Sequence, residues 1–171
     1  MIRNNNEIRT YNVLFPLWFL IWLPSWLWLI LIPLNYAIDT AVTWYTIRDL
    51  EDRKQFCLKN TWKICIVGFI CDFVGSLILF GTYLISAEFY GSNAILDMIE
   101  EGTMMNPFAN VPAFIVCTIA LLVSAVLIYL IDNVILRRAG LDIERAKHSA
   151  KWLAIVTAPY LFYFPSQIFY N

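Results

Sequence analysis

The pattern of hydrophobic and polar positions divides the chain into long apolar runs separated by two basic segments and one acidic segment. A helix that crosses a membrane needs roughly 20 consecutive apolar residues. Runs of this length predict an all-α integral membrane protein, and the whole chain then forms one polytopic domain. The four predicted transmembrane helices cover residues 26–47, 64–85, 113–136 and 152–170.

The first apolar run, residues 13–47, is too long for one crossing and short for two. Pro24 and Ser25 interrupt it among several tryptophans, and proline breaks helices whereas tryptophan prefers the membrane interface. We therefore expect residues 12–24 to form a Trp- and Pro-rich interfacial or re-entrant segment, with Ser25 capping the first crossing helix. The alternative is a hairpin with its tip at Pro24 and Ser25, which gives five crossings. No small-residue cleavage pattern follows the run, so it is interpreted as retained rather than as a signal peptide.

The positions of Lys and Arg predict the orientation. Apart from Arg3 and Arg9, all of them fall in the connections 48–63 and 137–151, whereas the loop 86–112 contains acidic residues and neither Lys nor Arg. Basic connections of membrane proteins stay in the cytoplasm. The acidic loop and the C-terminus are then outside, and with one crossing in the first run the N-terminus is outside as well.

A short helix is predicted within the acidic loop. Ser92 is a residue type that caps helices, and Ile95 and Ile99 follow with helical spacing before Gly102. We expect one or two amphipathic turns that lie on the membrane surface.

Composition agrees with membrane insertion. The chain is 60% hydrophobic and 15% charged, with a mean hydropathy of +0.65, whereas ordinary soluble domains are about 25% charged. A net charge of −1 offers no electrostatic footprint for nucleic acid. We expect the lipid bilayer as a partner, no nucleic acid, and a multi-pass location in the cell membrane.

No motif for catalysis or metal binding is present in the sequence. The four cysteines form no CxxC pair and mostly lie in apolar runs, where cysteine behaves as a small hydrophobic residue. P-loop, GxSxG, HExxH and intramembrane-protease patterns are missing. We expect a protein that is not an enzyme and that binds no metal or cofactor.

Three acidic residues lie inside predicted helices, namely Asp39, Asp72 and Asp132. A carboxylate at bilayer depth costs roughly 2.5–3.5 kcal/mol on insertion scales, so such residues usually have a role. Asp39 and Asp72 are equally far from the flanking basic residues Arg48 and Lys63, which predicts the same depth on adjacent antiparallel helices. Asp132 is expected nearer the inner boundary.

Two glycines lie on the same face of the second predicted helix as Asp72. Gly68 and Gly75 are spaced at helical intervals with Asp72 and Leu79. Small residues let membrane helices approach closely. Gly68 and Gly75 are therefore predicted to mediate helix packing.

Two functions are compatible with these features. In the first, the intramembrane carboxylates bind or conduct a small cation or a proton, since no Lys or Arg inside the spans neutralises them. In the second, each Asp is protonated and fixes helix contacts in a non-catalytic accessory or scaffold subunit of a membrane complex. Four short-looped helices enclose little room, so a homo-oligomer or another membrane protein is an expected partner.

Overall fold

The computed structural model describes residues 16, 18, 19, 22, 26 and 28–169, and within these residues the chain is helical without strands. The all-α class is therefore confirmed. Pro24 and Ser25, the predicted break and cap, lie outside the described residues. The elements are α1 (Trp28–Thr46), α2 (Arg53–Glu88), α3 (Ala94–Met104), α4 (Val111–Arg138), α5 (Ile143–Val156) and two short 3-10 helices, Tyr160–Tyr163 and Ser166–Phe169.

Polar side chains cap three of these helices at their first turns. Asn93 is the N-cap of α3, Asn110 that of α4 and Asp142 that of α5. Each side-chain oxygen accepts a hydrogen bond from a backbone N–H two or three residues later, at 2.9–3.0 Å. The predicted short helix in the acidic loop is present, but its cap is Asn93 instead of Ser92. Gly140, at φ +103°, ends α4 in the left-handed conformation that favours glycine.

Four helices form an antiparallel bundle. α2 packs against α1 and α4, α4 packs against α5, and α5 closes the arrangement by contacting α1. The connections between α1 and α2 and between α4 and α5 lie at one end, here called the basic end. α3 lies at the other end, the acidic end, where it packs on α2 and α4.

Two helices, α2 and α4, are long and apolar enough to cross a membrane. They contain the predicted spans 64–85 and 113–136. α1 has 19 residues and α5 has 14, and neither combines sufficient length with sufficient hydropathy. A topology of four transmembrane helices is therefore not confirmed by helix length and composition.

α2 extends far into the basic connection predicted over residues 48–63. It begins at Arg53 because Cys57, Thr61 and Ile64, one turn apart, are buried against the other helices. This buried face extends the helix by eleven residues before Ile64, the first residue of the predicted span. The second connection, 137–151, is likewise shorter, since α5 begins at Ile143.

Within the last predicted span, residues 152–170, the described residues form the end of α5 and two 3-10 helices, so the helix is interrupted near the two prolines. α5 ends at Val156, and the chain then proceeds in 3-10 turns around Pro159 and Pro165. Proline has no N–H, so Pro159 leaves the Ile155 carbonyl without its helical partner. The Tyr160 hydroxyl donates to that carbonyl at 2.5 Å and replaces the lost bond.

Two tryptophans before α1 donate hydrogen bonds to other parts of the chain. Trp18 is 2% exposed, and its indole N–H donates to the Thr103 carbonyl at 3.0 Å. Trp22 donates to the Ser76 hydroxyl, also at 3.0 Å, whereas Trp26 is exposed. The N–H of Trp18 therefore has its acceptor inside the protein, and the interfacial placement of residues 12–24 stays a prediction.

The apolar core is divided between the two ends of the bundle. The basic-end core joins α1, α2, α4 and α5 around Ile47, Ile64, Leu136 and Leu153. The second group of buried residues, here called the acidic-end cluster, consists of Trp18, Leu79, Cys117, Ala120, Leu121, Ala158 and Phe162.

Candidate functional site

The structure brings the three predicted acidic residues together between α1, α2 and α4. Asp39, Asp72 and Asp132 are 3%, 8% and 0% exposed, whereas many large apolar side chains of the same helices are exposed. Asp39 interacts electrostatically with both Asp72 and Asp132. These three residues are called the carboxylate cluster.

Asp39 lies beside Cys65, whose thiol hydrogen-bonds to the Asp39 carboxyl. Cys65 precedes Asp72 by two helical turns, about 10 Å along α2. The prediction that Asp39 is level with Asp72 is therefore wrong. The cause is the early start of α2, which places the end of α1 beside Cys57 instead of Lys63.

The contact between α2 and α4 fixes the height of Asp132. The Ser124 hydroxyl donates to the Cys71 carbonyl at 3.0 Å, and both groups are buried. Asp132 follows Ser124 by two turns toward the basic end, about 12 Å along α4. Asp132 and Asp39 are thus nearly level, and Asp72 lies deeper in the bundle.

Gly75 makes the close approach of α2 and α4 possible. A Cβ at this position would collide with the Ser124 hydroxyl and lie 2.9 Å from the Phe162 ring and 3.0 Å from the Ala120 carbonyl. At Gly68, by contrast, an added Cβ meets nothing within 4 Å. The structure therefore does not place Gly68 in a helix contact within this chain.

Several buried oxygen atoms around the carboxylate cluster have no hydrogen-bond partner in the described part of the chain. Both carboxyl oxygens of Asp132 and one of Asp72 are among them. Two fully buried hydroxyls in the same half of the bundle share this property, on Thr43 and Ser149, and a third, on Thr61, pairs with the Cys57 thiol. Because buried polar groups are normally paired, this concentration indicates a place where protons or water would be bound.

The sequence indicated only part of this polar group. Thr43 neighbours Asp39 by helical spacing, but Thr61 and Ser149 lie in segments predicted to be solvated connections. Their one sequence signal is that each lies one turn from a residue of the basic-end core, Thr61 from Cys57 and Ser149 from Leu153.

Among the residues that the structure describes, the carboxylate cluster has neither an ion-pair partner nor the geometry of a metal site. The ion pairs formed by the described residues lie at the basic end and involve none of its members. Over the same residues, no group of three or more His, Cys, Asp or Glu side chains is arranged to hold a metal ion. Proton binding is the chemistry that this arrangement supports best.

The surroundings of the cluster differ between the two ends. Toward the acidic end, Asp72 is followed by Ser76, which accepts from Trp22, and then by the acidic-end cluster. Toward the basic end there are open cavities, one of about 460 Å³ lined by Tyr129 and His148.

The fold and the site together define an all-helical chain with two helices that could cross a membrane and three buried carboxyl groups between them. Comparison with family models, with curated proteins and with solved structures finds no match for this chain.

Proposed function

We propose that the chain is a small integral membrane protein with transport-type function, which takes up protons from the cytoplasmic side onto Asp132, Asp39 and Asp72. The observation that carries this proposal is the burial of three carboxyl groups that, among the described residues, form no ion pair with Lys or Arg and no metal-site geometry. A buried carboxylate without a counter-charge is costly, and protonation removes that cost.

The multi-pass arrangement is part of the proposal. Large apolar side chains are exposed along all four bundle helices, and the apolar window of α4 is only 22% buried. A core helix of a soluble protein would be mostly covered, so lipid is the fitting environment. The positive-inside rule places the basic end in the cytoplasm.

In this arrangement α1 provides the first crossing, and the last segment crosses as a helix followed by 3-10 turns. Trp22 lies beside Ser76, Trp28 beside Phe69, and α1 then descends to the basic end. The segment after α5 rises to the acidic end, where the backbone N–H of Gln167 donates to Met105 at 3.2 Å. Irregular backbone is tolerated at membrane depth where protein buries it.

The order of the carboxyl groups supports stepwise proton movement. Asp132 and Asp39 lie nearer the basic end, and Asp39 interacts with the deeper Asp72. The acidic-end cluster separates Asp72 from the other side. Complete passage would then require this cluster to open.

Reconstitution into liposomes tests the transport function. A potassium diffusion potential would drive proton flux, read by a pH dye trapped inside. We expect flux above empty liposomes for the wild type and for Glu101→Gln, an exposed control, but not for Asp39→Asn or Asp72→Asn. Wild-type flux equal to that of empty liposomes would reject conduction.

A non-catalytic accessory subunit is the second candidate, favoured by the poor cover of the first half of α1. Leu29, Ile30 and Leu34 are 79%, 53% and 52% exposed. Another membrane helix, or a second copy, would fit there. When a mild oxidant is added to the membranes to accept the two electrons, a Leu29→Cys variant should then form a disulfide-linked dimer, or a mixed disulfide with a partner that carries a thiol there, while the buried native cysteines do not react. A monomeric product would count against it.

A further inference from the structure

A second site lies at the basic end, in the cleft between α2 and α4. This cavity has a volume of about 320 Å³ and is lined by Lys59, Asn60, Lys63, Ile135, Arg138 and Ala139. The volume is within the range of small-molecule sites, and three of the six lining residues carry positive charge. It contains no acidic lining residue.

The three cations of this cavity are not neutralised by carboxylates of the described chain. The ion pairs there join Arg48 to Asp49, Arg145 to Asp142 and Lys147 to Glu144, and none includes Lys59, Lys63 or Arg138. The acidic residues Asp49, Glu51 and Asp52 line the neighbouring cavity, which shares Lys59. An anion in the cavity would therefore relieve the repulsion among three like charges.

The helix surfaces next to the cavity are apolar. Lys59 and Lys63 are one turn apart on α2, and helical spacing continues the same face to Ile66 and Ile70, which are 51% and 55% exposed. On α4 the face of Arg138 continues to Ile131, 38% exposed. The basic groups thus line the cleft at the basic end, and the helix surfaces next to it, further from that end, are apolar.

We propose that this cleft binds the phosphate headgroup of an anionic phospholipid of the inner leaflet. The cations contact the phosphate, and the acyl chains lie against the isoleucines below. Free phosphate would use the same charges but would leave the apolar walls unused. Basic pockets between membrane helices at the cytoplasmic side bind such headgroups. This inference rests on the proposed membrane orientation but not on proton binding.

Thermal unfolding of the purified full chain in detergent tests the assignment. Phosphatidylglycerol is titrated against phosphatidylcholine of the same acyl composition, and inorganic phosphate is a separate arm. We expect phosphatidylglycerol alone to raise the melting temperature. Removing a cation weakens its apparent affinity about fivefold, and the triple variant Lys59→Gln, Lys63→Gln, Arg138→Gln on the order of a hundredfold.

The matched control removes three other exposed cations of the same end, Arg48→Gln, Lys54→Gln and Lys151→Gln. It should retain phosphatidylglycerol binding. Equal losses in both triple variants, or no loss in the cavity variant, would overturn the site. Stabilisation by inorganic phosphate that also displaces phosphatidylglycerol would overturn the lipid assignment. If the cavity triple variant does not fold, the single Arg138→Gln variant tests the same site, with an expected loss of apparent phosphatidylglycerol affinity of about fivefold.

Discussion

The Ser124 hydroxyl donates a hydrogen bond to the Cys71 carbonyl at 3.0 Å, directly beside the position where Gly75 lets α4 approach α2. This contact fixes the register between the two longest helices. It therefore also fixes the height of Asp132 relative to Asp72, on which the order of the carboxyl groups depends.

Gly75 and Gly68 predict opposite effects of the same substitution. Gly75→Ala should lower the free energy of unfolding by about 1–3 kcal/mol, since the methyl group collides with Ser124 and overpacks the interface. Gly68→Ala meets open space and should raise it by about 0.5–1 kcal/mol through helix propensity. Thermal unfolding in one detergent compares the two. Equal signs would contradict the register.

Asp132 predicts a conflict between stability and function. Both of its carboxyl oxygens are buried without a hydrogen-bond partner among the described residues, so Asp132→Leu should stabilise the fold by about 1–3 kcal/mol while abolishing proton flux. Unfolding and liposome flux are measured on the same preparation. A strongly destabilised Asp132→Leu variant would show that the carboxyl group has structural partners, against the proposed role.

If the proposal is correct, the packing of Trp18 at the acidic end limits proton flux. Trp18→Ala removes a buried indole from the acidic-end cluster and its bond to Thr103, so proton flux should rise above wild type. The rise should disappear when Asp72→Asn is added, because the protons still pass through Asp72. Trp26→Ala, at an exposed position, serves as the control. A rise that survives Asp72→Asn would indicate a nonspecific leak.

The Tyr160 hydroxyl should stabilise the fold, because it replaces the backbone hydrogen bond that is lost at Pro159. Tyr160→Phe leaves the Ile155 carbonyl without a donor in an apolar setting and should destabilise by about 1 kcal/mol. Tyr45→Phe, an exposed tyrosine of α1, should have little effect. Equal unfolding temperatures for both variants would show that the carbonyl is satisfied otherwise.

The sequence predicted the parts of the fold that depend on local pattern. The apolar runs located α2 and α4, and their Asp residues were placed on inward faces because lipid-facing carboxylates are costly. Pro159 and Pro165 lie in the last predicted span, but the sequence does not show that the Tyr160 hydroxyl replaces the bond that the Ile155 carbonyl loses, since this depends on the path of the chain through the 3-10 turn.

The sequence could not predict the register between neighbouring helices. The depth of Asp39 was inferred from the ends of the apolar runs, but α2 continues to Arg53 on a buried face with mixed polarity. Trp18 was assigned to the interface by residue preference, and its acceptor on Thr103 lies 85 positions away in the chain. Contacts at such separation leave no periodic signal.

The central claim is that the carboxylate cluster binds protons reversibly. Infrared difference spectra between mildly acidic and mildly alkaline buffer, on the protein in lipid, measure the carbonyl band of protonated carboxyl groups. We predict a change in this band that becomes smaller in each of Asp39→Asn, Asp72→Asn and Asp132→Asn and is unaffected by Glu101→Gln. A wild-type band that is the same in both buffers, or that is unaffected by all three Asp substitutions, would contradict the proposed function.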